Sequence, residues 1–238
     1  MARRRPSAGA GRPREPGDSI GERSQRALTP RHPRDETAAV TSLNVPGVPF
    51  PLHAQGEPPC VYEIADGALR LTGQAGTDLF LDPAGTGTPP DGGRLTGVPP
   101  EGDFRLTARV RVEFASAFDA GVLLVHAADD RWAKLCFEYS PQKVPTAVTV
   151  VTRGTSDDAN AFEVDGDTLW LRVTRSGRAW AFHASTDGEW WRLLRYFTLD
   201  EREPGRTTVG FLTQSPTGQG CTAVFDRTAF TPAAPADL

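Results

Sequence analysis

The chain has 238 residues, of which 24% are charged, with 26 Lys and Arg against 30 Asp and Glu, a net charge of −4 and three cysteines. That length fits one large all-β domain or two small ones, and no run of about eighteen apolar residues occurs that would cross a bilayer as a helix. The first 45 residues hold nine Arg against five acids, so the rest is clearly acidic and has no general attraction for nucleic acid.

Residues 1–45 are rich in Arg, Pro, Gly and Ser and lack the apolar side chains that offset the entropy of ordering a chain, which predicts a disordered arm. Its opening, MARRRPSAGAGRPREPG, is not followed by the apolar stretch of a secretory signal, and Arg3, Arg4 and Arg5 lead into Pro, Ser and Gly rather than a twin-arginine leader's hydrophobic region. Cys60, Cys136 and Cys221 are widely spaced and odd in number, which suits a reducing cytoplasm better than a disulfide framework. Residues 46–238 show no internal linker and are expected to form one domain.

From Tyr62 onward short alternating segments are separated by Gly, Asp and Pro clusters. The predicted strands are ALRLT (68–72), FRLTARVRVEF (104–114), AGVLLVHA (120–127), WAKLCFEY (132–139), AVTVVTR (147–153), LWLRVTR (169–175), AWAFHAS (179–185), WRLLRYF (191–197), TTVGFLT (207–213) and AVFDRTAF (223–230). Within the second, Phe104, Leu106, Ala108, Val110, Val112 and Phe114 point one way and Arg105, Thr107, Arg109, Arg111 and Glu113 the other, the mark of a strand with one wet face. Asp129-Asp130, Ser176-Gly177 and Asp187-Gly188 predict tight turns. Pro and Gly are too dense for long helices. Strands in this number must close into a barrel or split into two sheets, and an antiparallel two-sheet sandwich is expected.

Several motifs, in order, carry a family resemblance: Gly102-Asp103-Phe104, Asp119-Ala120-Gly121-Val122-Leu123, Trp132-Ala133-Lys134 with Glu138, Ser156-Asp157, Ser185-Thr186-Asp187-Gly188 with Trp190 to Arg192, Val209-Gly210, Ser215-Pro216 and Phe225. Over residues 60–231 the chain resembles the domain-of-unknown-function family numbered 1349, which includes yeast proteins described as regulators of enolase. The resemblance implies a concanavalin A-like jelly roll with a concave sheet, and a regulatory or carbohydrate-related role. The chain departs from the family at Ala120, where Gln is common, and at Leu79, where Trp is common. Fold alone fixes no function, because this sandwich carries both sugar-binding proteins and glycosidases.

On the strand 132–139 the alternation sets Trp132, Lys134, Cys136 and Glu138 on one face. An aromatic ring, an ammonium and a carboxylate on one sheet face suit a shallow carbohydrate groove, although they equally suit a cross-strand polar network with Trp132 covering its edge. His126, at the end of its strand, is a candidate donor or proton carrier beside them, although a lone strand-end histidine is more often structural. Arg172, Arg192 and Arg195 are read as an anion clamp should the fold gather them. A retaining glycosidase needs two carboxylates about 5–5.5 Å apart, and Glu138 has no second acid on its strand. The expected function is therefore non-enzymatic recognition of a saccharide or a protein surface, with a divergent glycoside hydrolase and a pure protein-interaction module as rivals. No motif for a nucleotide, phosphate or zinc cofactor occurs, the four histidines are dispersed, and Ser156-Asp157-Asp158-Ala159-Asn160 reads as a side-chain-capped loop that needs no metal.

Overall fold

The computed structural model describes residues 42–85, 91–200 and 205–235, so most of the predicted arm lies outside the described residues. In chain order the strands are β1 (Ser42–Leu43), β2 (Leu52–Gln55), β3 (Val61–Ala65), β4 (Ala68–Gly73), β5 (Arg94–Gly97), β6 (Phe104–Val112), β7 (Ala120–Ala128) and β8 (Arg131–Tyr139). They continue as β9 (Pro145–Arg153), β10 (Ser156–Glu163), β11 (Thr168–Ser176), β12 (Ala179–Ser185), β13 (Arg192–Phe197), β14 (Thr208–Gln214) and β15 (Cys221–Thr231). They form two antiparallel sheets, one of eight strands in the order β1-β2-β5-β14-β7-β8-β9-β10 and one of seven in the order β13-β12-β11-β6-β15-β4-β3.

The expected sandwich is present, and each predicted strand appears within a few residues of its expected limits. Five further strands escape the alternation rule: β1, β2 and β5 are too short, β3 is mostly exposed, and β10 is polar. Ser156 to Asn160 corrects the loop expectation. The segment is the first part of β10, an edge strand paired with β9, whose backbone hydrogen bonds need no apolar side chains. Pairing begins at Ser42, ahead of the expected boundary at residue 46.

The main core fills the space between the sheets. β6 delivers Phe104, Leu106, Ala108, Val110 and Val112 to it, β11 delivers Leu169, Leu171 and Val173, and β8 delivers Ala133, Leu135 and Phe137. Gly121 lets the two layers approach, since a Cβ there would lie 2.6 Å from Val110 Cγ2 and 2.9 Å from Ala223 Cβ of the other sheet. The family motif around Gly121 is structural at its first residue too. Asp119 is fully buried, and its carboxylate accepts from the amides of Ala115 (3.0 Å) and Ser116 (2.8 Å) and from Ser215 Oγ (2.6 Å). The Asp119 and Ser215 motifs thus latch two loops at one end of the sandwich.

β7, β8 and β9 are buried on both faces. Their second cover is the extended segment from Thr77 to Leu81, a strap whose Leu79 packs with Val122, Leu124, Trp132, Cys136, Val148 and Leu212 in a separate apolar cluster. The strap is pinned at Ser156, whose amide donates to Leu81 O (2.8 Å) and whose hydroxyl accepts from Leu81 N (2.8 Å).

Candidate functional site

Lys134 is placed by β8 on the outer face of the eight-stranded sheet and is only 1% exposed. A buried ammonium requires partners. Its Nζ donates to Asp78 Oδ1 of the strap at 2.7 Å and to Gln214 Oε1 of β14 at 2.9 Å. Burial is the largest effect and opposes the charge, but the pull of Asp78 together with Cys136 and Glu138 outweighs it and holds the lysine above its usual pKa. Gln214 donates in turn to Phe118 O at 3.3 Å.

Phe118 adopts a left-handed φ of 69°, a strained conformation for an aromatic residue, and is held by its amide's hydrogen bond to Tyr139 O (2.7 Å).

Beside this network lies a cavity of about 400 Å³, walled by the apolar side chains of Phe80, Phe118, Val148, Val150 and Pro216 and by Lys134, Gln214 and three carboxylates, Asp78, Glu138 and Asp158. Glu138 is 9% exposed and has no hydrogen-bond partner among the described residues. Burial pushes its carboxyl up to about 7, and the charges of Asp78 and Asp158 add to that against the pull of Lys134. Near neutrality it therefore exists partly as an acid able to donate.

Glu138 lacks an acidic neighbour on its own strand, as the sequence reading holds, yet the fold supplies two from elsewhere. Asp78 comes from the strap and Asp158 from β10, which lies across β9 from β8. Sequence reasoning missed both, and Phe80, Phe118 and Gln214 with them. The signals were Asp78 beside the divergent Leu79, Asp158 beside the Ser156-Asp157 motif and Gln214 beside the Ser215-Pro216 motif.

The remaining expected site residues lie elsewhere. Trp132 does not cover a sheet edge; it is 1% exposed beneath Leu79. With His126, whose ring lies nearly parallel to it at 6.3 Å, it borders a second cavity of about 230 Å³ lined also by Leu79, Asp91, Arg94 and Asp129. Burial, with Arg94 nearby, pushes His126 down to about 4, so it is neutral at pH 7. Leu79 packs down on the sheet here, while its neighbours Asp78 and Phe80 face the larger cavity.

The arginines do not gather into one clamp. Arg172 projects from the outer face of the seven-stranded sheet and lies 3.6 Å from the centroid of the Trp191 ring. Arg192 stacks over Phe162 at 4.6 Å and over Trp190 at 5.1 Å, and Arg195 pairs with Asp157 of β10 at 2.6 Å, so β13 closes the sandwich edge. The hairpin before β13 is structural. Asp187 accepts from Ser185 Oγ (2.8 Å) and from the amides of Glu189 (2.8 Å) and Trp190 (2.9 Å), which hold its carboxyl below the usual carboxylate range.

With this geometry in place, comparison with known families decides the relationship: residues 56–233 match the family described as "Protein of unknown function (DUF1349)". The chain belongs to the DUF1349 family. No curated protein sequence matches it. This DUF1349 chain is similar in structure to a functionally unknown protein from Saccharomyces cerevisiae, with 21% identity, a TM-score of 0.67, and coverage of 77% of this chain and 97% of that one. It also resembles the GH43 protein BlXynB from Bacillus licheniformis (15% identity, TM-score 0.58, 71% of this chain and 33% of that one). A third likeness is to the xylan beta-1,4-xylosidase of Bacillus halodurans C-125 (16% identity, TM-score 0.57, 73% and 34%). The DUF1349 chain thus spans about a third of the length of those two proteins. At these identities the likeness concerns the fold alone, an antiparallel sandwich of the concanavalin A-like, jelly-roll class. Among the described residues no helix is long and apolar enough to cross a membrane, and no group of three or more His, Cys, Asp or Glu side chains is placed to hold a metal ion.

Proposed function

We propose that the cavity beside Lys134 binds a neutral saccharide unit, and that the domain serves as a lectin-like recognition or regulatory module in carbohydrate metabolism. One observation carries this reading: Glu138, only 9% exposed as a residue and without a hydrogen-bond partner among the described residues, lines a cavity of about 400 Å³ walled by Phe80 and Phe118. A carboxyl held largely out of bulk water and without a protein partner is free to hydrogen-bond a ligand that enters the cavity. A carboxyl poised between its two protonation states both donates to and accepts from sugar hydroxyls, while aromatic walls meet the apolar face of a sugar ring. The likeness of the sandwich to parts of sugar-acting proteins is consistent with this ligand class.

A second reading, hydrolysis, is favoured by the convergence of Asp78 and Asp158 on the same cavity. In that reading Glu138 is the general acid and Asp158 the base, since Asp78 is held by Lys134. The test is thermal-shift and calorimetric titration of the full chain with neutral mono- and oligosaccharides, xylose and arabinose oligomers included. Expected is a saturable stabilisation, about 2.7 kcal/mol at a hundredfold excess over Kd, which Glu138→Ala abolishes. Release of new reducing ends by the wild type, lost in Asp158→Asn while binding persists, would move the assignment to hydrolase. Silence across the panel refutes the saccharide site and leaves a protein surface as the partner.

A further inference from the structure

The outer face of the seven-stranded sheet carries a second cluster that the saccharide reading does not use. Strand register sets Thr107, Arg172, His183 and Leu193 in one row, and Arg105, Thr174, Ala181 and Tyr196 in the next. All point away from the core, because Leu171, Val173 and Phe182 alternate with them toward it.

Three of the other arginines on this sheet have acidic partners. Arg70 meets Glu113 at 2.8 Å, Arg109 meets Asp226 at 2.5 Å, and Arg195 meets Asp157 at 2.6 Å. Arg172 and Arg105 have none among the described residues, and the charged neighbour that Arg172 feels is Arg105, a like charge. Trp191 holds the Arg172 guanidinium from one face at 3.6 Å and is itself fixed by a hydrogen bond from its indole N–H to Gly188 O at 3.2 Å. Gly188 has a φ of +81°, and the Trp170 ring lies 2.8 Å from where a Cβ would stand, so the turn that positions Trp191 accepts only glycine without rearrangement.

Three polar atoms of the same two rows are buried without a partner: Arg172 Nε, Thr174 Oγ1 and His183 Nδ1. Thr174 and His183 are 0% and 4% exposed. Beside them, Leu193 and Tyr196 remain 47% and 59% exposed.

Two adjacent guanidinium groups without a counter-charge, one preorganised by an indole ring, form a fork suited to an oxyanion. Their mutual repulsion is relieved more by a dianion than by a monoanion. We propose that Arg172 and Arg105 bind a phosphate or sulfate group, over a floor that includes His183 and Thr174, and that the body carrying it is a ring or apolar group lying along Tyr196 and Leu193. The site faces away from the saccharide cavity, on the other sheet, and its existence does not depend on that reading.

The test is calorimetric titration of the full chain at constant ionic strength with inorganic phosphate, inorganic sulfate, phenyl phosphate and benzoate. Inorganic phosphate and sulfate are expected to saturate at or below about millimolar concentration. Phenyl phosphate should bind more tightly than inorganic phosphate and lose that advantage in Tyr196→Ala. Arg172→Gln and Arg105→Gln should each weaken the dianions by about tenfold or more, whereas Arg70→Gln, on the same sheet but already paired with Glu113, leaves them unchanged. Should the stacked arginine prove necessary for folding, Arg105→Gln carries the test alone. Absence of saturable binding up to about 10 mM, equal binding of benzoate and phenyl phosphate, or binding that survives both arginine variants overturns the proposal.

Discussion

The outer faces of the two sheets are built from the same strand alternation and end in opposite states. On the seven-stranded sheet, Arg105, Thr107, Arg109 and Arg111 alternate with apolar residues, and their face stays partly open to water. On the eight-stranded sheet, β8 places Trp132, Lys134, Cys136 and Glu138 at the equivalent positions, yet the strap from Thr77 to Leu81 covers the first three, Glu138 lines the cavity beside it, and all four are buried. A cation on the open face needs only hydration or a loose partner, whereas a cation on the covered face must be paired. Lys134 has Asp78 and Gln214 for that purpose, and both hold the cover or its support in place. The difference implies that breaking the Lys134–Asp78 pair on the covered face costs stability, whereas removing a charge on the open face leaves stability nearly unchanged.

The largest break in that contrast is predicted for Lys134→Ala. Removing one partner of a buried ion pair costs about 3–5 kcal/mol, here because Asp78 loses its counter-charge and the strap its anchor on the sheet. Chemical denaturation should show the loss directly. Lys134→Met with Asp78→Asn, which removes both charges and keeps most of the volume, should recover at least about 1 kcal/mol of it. If the single variant is no worse than a surface arginine change, the strap is not held by this pair.

Much of the sandwich was legible in the sequence, because period-two alternation in segments such as FRLTARVRV is a direct imprint of one face meeting an apolar core. β10 was not, since an edge strand satisfies its backbone on one side only and tolerates SDDANAFE. At the site, β8 advertised Lys134 and Glu138 through two charges inside an otherwise apolar strand. Asp78 and Asp158 could not be found that way. They are 56 residues upstream of Lys134 and two strands across the sheet, and only the folded strap and edge bring them to the cavity. The same limit explains Arg172: its residue type suggested an anion site, but its partner, Arg105, is fixed by strand register rather than by spacing along the chain.

A smaller and pH-dependent effect is expected at Glu138. Its folded pKa lies near 7, above the ordinary 4.5, so between these values the folded chain keeps a proton that the unfolded chain releases. Its contribution to stability is therefore full below about pH 4.5, falls as pH rises, and is gone above about pH 7. Glu138→Gln removes the titration. Relative to wild type it should gain about 2–3 kcal/mol on passing from about pH 4.5 to about pH 8, read as the difference between two denaturation series. His126 and His183, both pushed down to about 4 by burial, act with the opposite sign, stabilising above about pH 6.5 and losing that contribution on acidification. The variant comparison cancels them, since both chains retain both histidines. A flat difference would mean that Glu138 is ionised throughout, and the donor role in sugar binding would fall with it.

The smallest effect belongs to the open face and provides the counterpart to Lys134. Arg109 and Asp226 form a bidentate pair across β6 and β15, with Nε and Nη2 donating at 2.8 and 2.5 Å. By geometry alone it matches the Lys134 pair, but its side chains are 38% and 32% exposed against 2% for Lys134. Water solvates whichever partner is left, so Asp226→Asn should cost no more than about 1 kcal/mol. Added salt at about 1 M should shrink that cost by shortening the Debye length to about 3 Å, while the Lys134→Ala cost stays nearly constant because its surroundings exclude ions. A salt-insensitive loss of several kcal/mol at Asp226 would show that the seven-stranded face is as sealed as the other, and with it the access that an oxyanion needs to reach Arg172 and Arg105 would be lost.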